Sequence, residues 1–579
     1  MTIAEQLKDV YIILVRVFFT LIFILFYPTN LYTQVTFWDD IPDNELAELL
    51  IDDMGPEELL GQVLLWGYGF NNYRSYYWDD IEEEMTVWIK DRNLGGIKPF
   101  GWNGSNLKKL ASEISTMQSF SQSTRHKIPL IVATDQEGGW IRHIKGGMSM
   151  TPGNIAIGAT GNMEDAYETG YYIGLELKAA GINMNFAPTV DLYTNYDNIV
   201  IGPRAFSDDP DLTAKLGLGY YLGLDKAGVM ATAKHFPGHG DTEVDSHGDL
   251  PIISIDFETL WNRELVPYRL LINEKLPAIM VGHIGYPLID RDLNPASFSK
   301  IFIEDIIRGK LGFDGLLITD DLIMGGTESN SQELAEMCYR ALNVGNDLIL
   351  VSRTNEAQNE VWYYLSDKLK SNDLFLEKIK EKVKRILLCK MRYLKREDAA
   401  PLYPDSESIL NNIPNKNGEA YFIDHAFRSA TVLRSSELPL KIENNEKILL
   451  AGQVDAFFSV GRELCPEADT YDYGYNFYST SSQNKADMIN FGKYYDIIIF
   501  CIDGPGSEEA LKALDGSPAR IFVISVYSPV YFKDVPWIKN AVAVYGSGTA
   551  SIRAGFYTLM GEYMPDGKLP LNLDLGFYE

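Results

Sequence analysis

AYETGYYIGLELKAAGINMNFAPTVDL, residues 166–192, decides the fold. Its first part, 166–181, carries a helical pattern. The rest is an apolar run that closes on Asp191. Similar runs recur on both sides: LGGIKPF (94–100), PLIVATD (129–135), VMATAKHF (229–236), AIMVGHI (278–284), GLLITDD (315–321) and NDLILVS (346–352). A further helical pattern, SKIFIEDIIRGKLG (299–312), stands between two of them. Strand–helix alternation sustained from about residue 45 to 395 implies parallel strands, because each return to a parallel neighbour needs a crossover. The predicted class is α/β, with a (β/α)8 TIM-type barrel as the leading architecture and a doubly wound sheet as the alternative. Asp135, Asp191, His235, His283 and Asp320 all fall where these strands end. Both architectures put ligands at strand C-termini, so the coincidence points to a site.

Outward from the barrel, residues 397–418 are rich in Pro, Asn and acids and read as a linker. A second alternating set follows: KILLAG (447–452), YDIIIFCID (495–503), ARIFVISVY (519–527) and AVAVYG (541–546). The expected organisation is a barrel over 35–396, a linker over 397–418 and a smaller α/β sandwich domain over 419–579. The loops of the second domain offer no cluster of titratable groups comparable to that of the first.

At 579 residues the chain is long enough for at least two domains with full cores. Its net charge of -29 argues against nucleic acid as a partner, since phosphate contacts need Lys and Arg. Cys338, Cys389, Cys465 and Cys501 are scattered with no CxxC spacing, so neither structural zinc nor a dense disulfide framework is indicated. Residues 10–27, VYIILVRVFFTLIFILFY, are apolar apart from Arg16 and Thr20. Together with Lys8 before them and the acidic stretch after Asp39, they read as a signal peptide or membrane anchor within residues 1–34. The body is then expected outside the cytoplasm, periplasmic or at the cell surface, with membrane attachment through 10–27 left open. A buried N-terminal helix is the alternative. Oligomeric state is not legible.

The densest chemistry lies in KHFPGHGDTEVDSHGDLP, residues 234–251, which holds three of the seven histidines. Ordinary loops do not gather so many proton-transfer groups on so glycine-rich a backbone. Asp245 and His247 stand two residues apart, so in an extended segment the carboxylate reaches and orients the ring. A histidine titrating near neutrality is a competent proton donor and acceptor. Asp320, at the mouth of a barrel strand, suits a nucleophile at a sugar's anomeric carbon, with Asp321 as a helix cap. The competing reading is a metal site made from His235, His239, Asp241, Asp245 and His247. Pro237, Gly238 and Gly240 oppose the helix that would align such ligands. No metal and no cofactor is expected.

These residues resemble family 3 glycoside hydrolases, and within them the bacterial β-N-acetylglucosaminidase branch that acts on peptidoglycan. The resemblance spans most of residues 50–395: MGPEELLGQVLL (54–65), LGGIKPFGWN (94–103), DQEGG (135–139), GPRAFSDDP (202–210), KHFPGHGDTEVDSH (234–247) and LGFDGLLITDDLIM (311–324). It implies Asp320 as the nucleophile, His247 as the general acid/base and Asp245 as its partner. It implies Asp135, Arg204, Lys234 and His235 as contacts to N-acetylglucosamine hydroxyls. Where the family commonly has an arginine eight residues beyond Asp135, this chain has His143, preceded by Arg142; Trp140 stands where another arginine is common. Arg142 and His143 are therefore expected on that side of the pocket. Lys98 and Pro99 interrupt a strand that is usually apolar. The C-terminal LMGEYMPDGKLPLNL (559–573) is similar to that of two-domain members.

The implied function is a retaining exo-β-N-acetylglucosaminidase, releasing terminal GlcNAc from cell-wall fragments. A β-glucosidase or a GlcNAc phosphorylase on the same barrel is the rival enzyme, and a cell-wall-binding protein without catalysis the rival of another class.

Overall fold

A computed structural model describes residues 34–69, 78–242, 250–323, 331–352, 355–474 and 476–575. In chain order the first strands are β1 (Leu64–Gly67), β2 (Gly96–Lys98) and β3 (Ile131–Thr134). A short antiparallel hairpin, β4 (Gln136–Gly138) and β5 (Ile141–Arg142), comes next. Then follow β6 (Met184–Asn185), β7 (Met230–Phe236), β8 (Ala278–Val281), β9 (Leu316–Thr319) and β10 (Ile349–Val351). The hairpin apart, these strands form one parallel sheet in the order β10-β1-β2-β3-β6-β7-β8-β9. A parallel bridge between Ile318 and Leu348 joins its two edges, so the sheet closes into a barrel. Every residue of the eight strands is buried, as expected where side chains fill the interior and helices cover the outside. That double burial is why the strands read as unbroken apolar runs.

Each of the seven runs quoted above contains one of these strands. β1 was not among them. It follows the helix Pro56–Gln62 after a single residue, so no turn signal separates LLGQ from LLWG. The helical patterns at 166–181 and 299–312 correspond to helices Met163–Ala179 and Ile301–Lys310.

The second sheet holds β11 (Thr431–Ser435), β12 (Ile448–Gly452), β13 (Asp469–Asp472), β14 (Ile497–Ile502), β15 (Arg520–Val526) and β16 (Asn540–Tyr545). Its order is β11-β16-β15-β14-β12-β13, parallel except for β11. Alternate residues feed two cores on opposite faces: Leu449, Ile498, Phe500 and Val523 on one, Leu450, Ile497, Ile499 and Ile524 on the other. The first of these cores continues into the barrel domain through Ile155, Ala156, Tyr193, Ile201 and Ala205. The C-terminal residues return to the same junction, where Ser207 Oγ donates to the Pro570 carbonyl and the Asn572 N–H donates to Asp208. An apolar shared core of this kind ties the two domains together.

Between the domains, residues 397–418 lie along the barrel. Ser115 donates to the Pro404 carbonyl, Ile409 and Ile413 are buried, and the Asn415 N–H donates to Glu176. No helix among the described residues is long and apolar enough to cross a membrane. The apolar segment 10–27 lies outside them.

One buried cation in this scaffold has no carboxylate partner. Lys390, on the helix Asp373–Leu394, is fully buried and, among the described residues, donates only to Gln62 Oε1, at 2.9 Å. Burial pushes its ammonium down to about 7. The unfolded chain, with an ordinary lysine, binds more protons between that value and about 10.4, so this site's contribution to stability improves as pH rises through that window. Lys390→Met is expected to stabilise the fold at pH 6 by about 1–3 kcal/mol and to flatten the rise between pH 7 and 9. Urea unfolding at several pH values checks this.

Candidate active site

The C-terminal mouth of the barrel collects the predicted site residues from separate strands. β7 runs from Met230 into Lys234 and His235, both buried. β3 ends at Thr134 and delivers Asp135, and the hairpin that follows delivers Glu137. Lys234 Nζ lies between these carboxylates, 2.6 Å from Asp135 Oδ1 and 2.6 Å from Glu137 Oε1. Arg204 grips Glu137 with both arms of its guanidinium, Nε to Oε2 at 2.9 Å and Nη2 to Oε1 at 2.7 Å. Lys98 closes the cluster from β2, its Nζ 2.7 Å from Asp135 Oδ2. Burial opposes the charge on both acids, but the surrounding cations win. Lys234 and Lys98 hold Asp135 well below the usual carboxylate range, while Arg204 and Lys234 bring Glu137 down to about 2.

His235 is fixed at both nitrogens. Nδ1 lies 2.7 Å from Asp191 Oδ2, and Nε2 lies 3.2 Å from Arg204 Nη2. A guanidinium can only donate, so Nε2 accepts and the ring proton sits on Nδ1, donating to Asp191. Asp191 also accepts from the backbone N–H groups of His235 and His239. This buried aspartate therefore organises the start of the PGHG turn. Gly238 adopts a φ of +139°, and a Cβ there would stand 2.7 Å from Glu264 Oε2. A Cβ on Gly240 would fall 1.5 Å from the Leu192 carbonyl oxygen. The turn is close-packed, and both glycines are needed for it.

The carboxylates that end β9 part company. Asp321 turns to β10, accepting from the Ser352 hydroxyl and backbone N–H. It also accepts from the Ile323 N–H, so it braces the strand ends. Asp320 is half-buried. Its backbone N–H donates to the Val281 carbonyl, and its Oδ1 accepts from the Asp321 N–H at 2.8 Å. Among the described residues nothing donates to Oδ2, which leaves that oxygen for chemistry. Burial raises the Asp320 carboxyl, but the Asp321 N–H and the nearby Lys234 ammonium act against it, and it lies below the ordinary range. Asp320 is accordingly a carboxylate at neutral pH.

Asp245 and His247 lie outside the described residues. The other groups once weighed as metal ligands are separately engaged: His235 as above, His239 through Nδ1 to Thr242 at 3.1 Å, and Asp241 to Arg263 at 2.6 Å. Among the described residues no group of three His, Cys, Asp or Glu side chains is arranged to hold a metal ion.

The neighbouring positions Arg142 and His143 diverge. His143 Nδ1 approaches Asp135 Oδ2 to 3.6 Å. Arg142, the last residue of β5, takes its charge neighbours from Tyr527 of the second domain and from Glu176, and its buried Nε has no hydrogen-bond partner among the described residues. Trp140 stacks between Phe477 and Tyr527, at 5.3 and 5.8 Å, so the second domain buttresses the hairpin that carries Glu137.

Glu137 and Lys98 were not among the predicted contacts. Glu137 was legible: two residues beyond Asp135 in an extended segment, it projects to the same side. Lys98 registered only as an interruption of an apolar strand. Asp191 and His283 were noted at strand ends without a role.

Residues 46–389 match the glycosyl hydrolase family 3 N-terminal domain. The chain belongs to that family. A β-hexosaminidase A from Pseudoalteromonas piscicida is 34% identical over 333 residues, covering 54% of this chain and 56% of that protein. The chain thus spans little more than half of that relative's length. A β-hexosaminidase from Thiobacillus denitrificans is 35% identical over 279 residues, 47% of this chain and 75% of that protein. Among solved structures, a family 3 β-N-acetylglucosaminidase from Paenibacillus superposes with a TM-score of 0.79 at 28% identity, covering 90% of this chain and 99% of that one. The family 3 relation thus reaches across the second domain as well as the barrel.

Proposed function

We propose that this family 3 glycosyl hydrolase is a retaining exo-β-N-acetylglucosaminidase that removes terminal GlcNAc from peptidoglycan fragments. The observation that carries the reading is Asp320, ionised and with Oδ2 open, beside the buried Asp135–Glu137–Lys98–Lys234–Arg204 cluster. Fixed charged donors and acceptors of that kind satisfy sugar hydroxyls and reject analogues that lack them. The relatives' names as β-hexosaminidases and as a β-N-acetylglucosaminidase support the choice of sugar.

In the proposed cycle Asp320 Oδ2 attacks the anomeric carbon, and the bond to the leaving oxygen breaks as His247 gives that oxygen a proton. His247, oriented by Asp245, then takes a proton from the incoming water. The water oxygen bonds the anomeric carbon and Asp320 departs as carboxylate. Asp135, Arg204, Lys234 and His235 hold the sugar, with Glu137 as a contact added by the geometry. His247 donates as an imidazolium and is left neutral, never anionic, so neither form is repelled by a carboxylate on the leaving sugar, which fits an anionic cell-wall fragment. An exported protein, held to the membrane by residues 10–27 or released from it, would meet such fragments outside the cytoplasm.

Nitrophenol release from the β-GlcNAc and β-glucoside derivatives by the full-length protein tests the sugar assignment. Turnover of the GlcNAc compound is expected, and preference for the glucoside would contradict it. His247→Ala is expected to slow hydrolysis of a disaccharide by about 10²–10⁴-fold, and to slow glycosylation by a nitrophenyl donor much less, because nitrophenolate leaves without a proton. Equal losses on the two substrates in single-turnover measurements would remove His247 from the acid role.

A further inference from the structure

Asp135 has two oxygens and three potential cationic neighbours. Lys234 takes Oδ1 at 2.6 Å. Oδ2 is contested: Lys98 Nζ reaches it at 2.7 Å, whereas His143 Nδ1 stops at 3.6 Å, beyond hydrogen-bond range. Lys98 is held there by its surroundings, buried with Nζ 4.2 Å from the centroid of the Phe100 ring. The same ring lies 5.3 Å from that of His143, so one aromatic side chain backs both competitors. The result for His143 is a buried Nδ1 with no hydrogen-bond partner among the described residues. Buried polar atoms left in that state are uncommon and call for a reason.

The charges facing His143 come from four elements: Asp135 after β3, Glu137 on β4, Lys98 on β2 and Lys234 on β7. Two acids and two permanent cations balance, so a proton on the ring would gain little. Burial, aided by Lys98 and Lys234 and opposed by Asp135 and Glu137, brings the ring down to about 4.

We propose that Lys98 is a positioning residue: by taking Asp135 Oδ2 it keeps His143 out of an ion pair and leaves the ring, whose side chain is 27% exposed, to bond a hydroxyl of the bound sugar through its other nitrogen. The idea rests on the reading of the Asp135 cluster as the sugar-hydroxyl site.

The test is Lys98→Met in the full-length protein, with the His143 ring titrated by NMR and its signal assigned by its loss in His143→Gln. The His143 titration is expected to rise by about one unit or more, as the ring becomes the cation on Asp135 Oδ2. At pH 7, kcat/KM for the nitrophenyl β-GlcNAc is expected to fall about 10–100-fold, mostly through KM. Lys98→Arg, which keeps the charge, should leave the His143 titration near its original position. If the methionine variant does not fold, Lys98→Gln removes the charge but keeps a donor to Asp135, and should raise the His143 titration in the same direction by a smaller amount. An unmoved His143 titration in the uncharged variant overturns the proposal. A His143 titration that moves while KM stays constant overturns its sugar-binding half. Failure of the wild-type protein to turn over any β-GlcNAc compound is a separate result and speaks against the proposed function itself.

Discussion

Asp320→Asn is expected to reduce turnover of a β-GlcNAc glycoside by about 10⁴-fold or more, with little change in stability. The amide has the size of the carboxylate and can still accept the Asp321 N–H at Oδ1, so the local backbone keeps its bond. What disappears is the open, charged Oδ2. The pH dependence follows from the same surroundings. The Asp321 N–H and the Lys234 ammonium help hold the Asp320 carboxyl below its ordinary range despite burial, so the proposed nucleophile stays charged until the pH falls below that range. Loss of activity near neutrality therefore has to come from another group. Steady-state kinetics and thermal unfolding of the variant check both halves. Turnover within tenfold of wild type would remove Asp320 from the role.

Lys234→Met combines a stability defect with a catalytic one. The ammonium that lies 2.6 Å from both Asp135 and Glu137 is, among the described residues, the only ion-pair bridge between two buried acids. Without it Lys98 and Arg204 remain, one on each carboxylate, but two negative charges face each other across a methionine. Breaking a buried ion pair from one side typically costs about 3–5 kcal/mol, and that is the expected loss at pH 7. In the wild-type protein Glu137, folded at about 2 and higher when unfolded, contributes stability that is present above the unfolded value and lost as pH falls towards 2. The variant has less of this contribution to lose, so the gap between the two proteins should narrow as pH drops from 5 towards 3. Chemical denaturation at these pH values is the check. Activity should fall about 10²-fold or more alongside, since the sugar loses a fixed donor.

The barrel was legible because burial on both faces turns parallel strands into continuous apolar runs, and seven such runs stand out. β1 was hidden by the absence of a turn between a helix and a strand that are both apolar. In the second domain β13 escaped for the opposite reason. Its DTYD sequence is polar and largely exposed, as befits an edge strand, and hydrophobic pattern cannot find it. The candidate site was legible where chemistry coincided with a strand end, as at Asp135, His235 and Asp320. It was not legible where a residue matters through its neighbours. Glu137 and Lys98 have meaning only once β2, β3 and β7 converge, and that convergence is tertiary. Arg142 shows the converse: adjacent in sequence to His143, it takes its charge neighbours from Tyr527 and Glu176 and not from the Asp135 cluster.

The central claim is that Asp320 forms a covalent bond to the sugar. Incubating the protein with a fluorinated N-acetylglucosaminyl donor that slows deglycosylation, then digesting it for mass spectrometry, tests this directly. The account predicts one added glycosyl mass on the peptide containing Asp320, absent in Asp320→Asn. A label on another carboxylate, or turnover with inversion and no adduct, would contradict it.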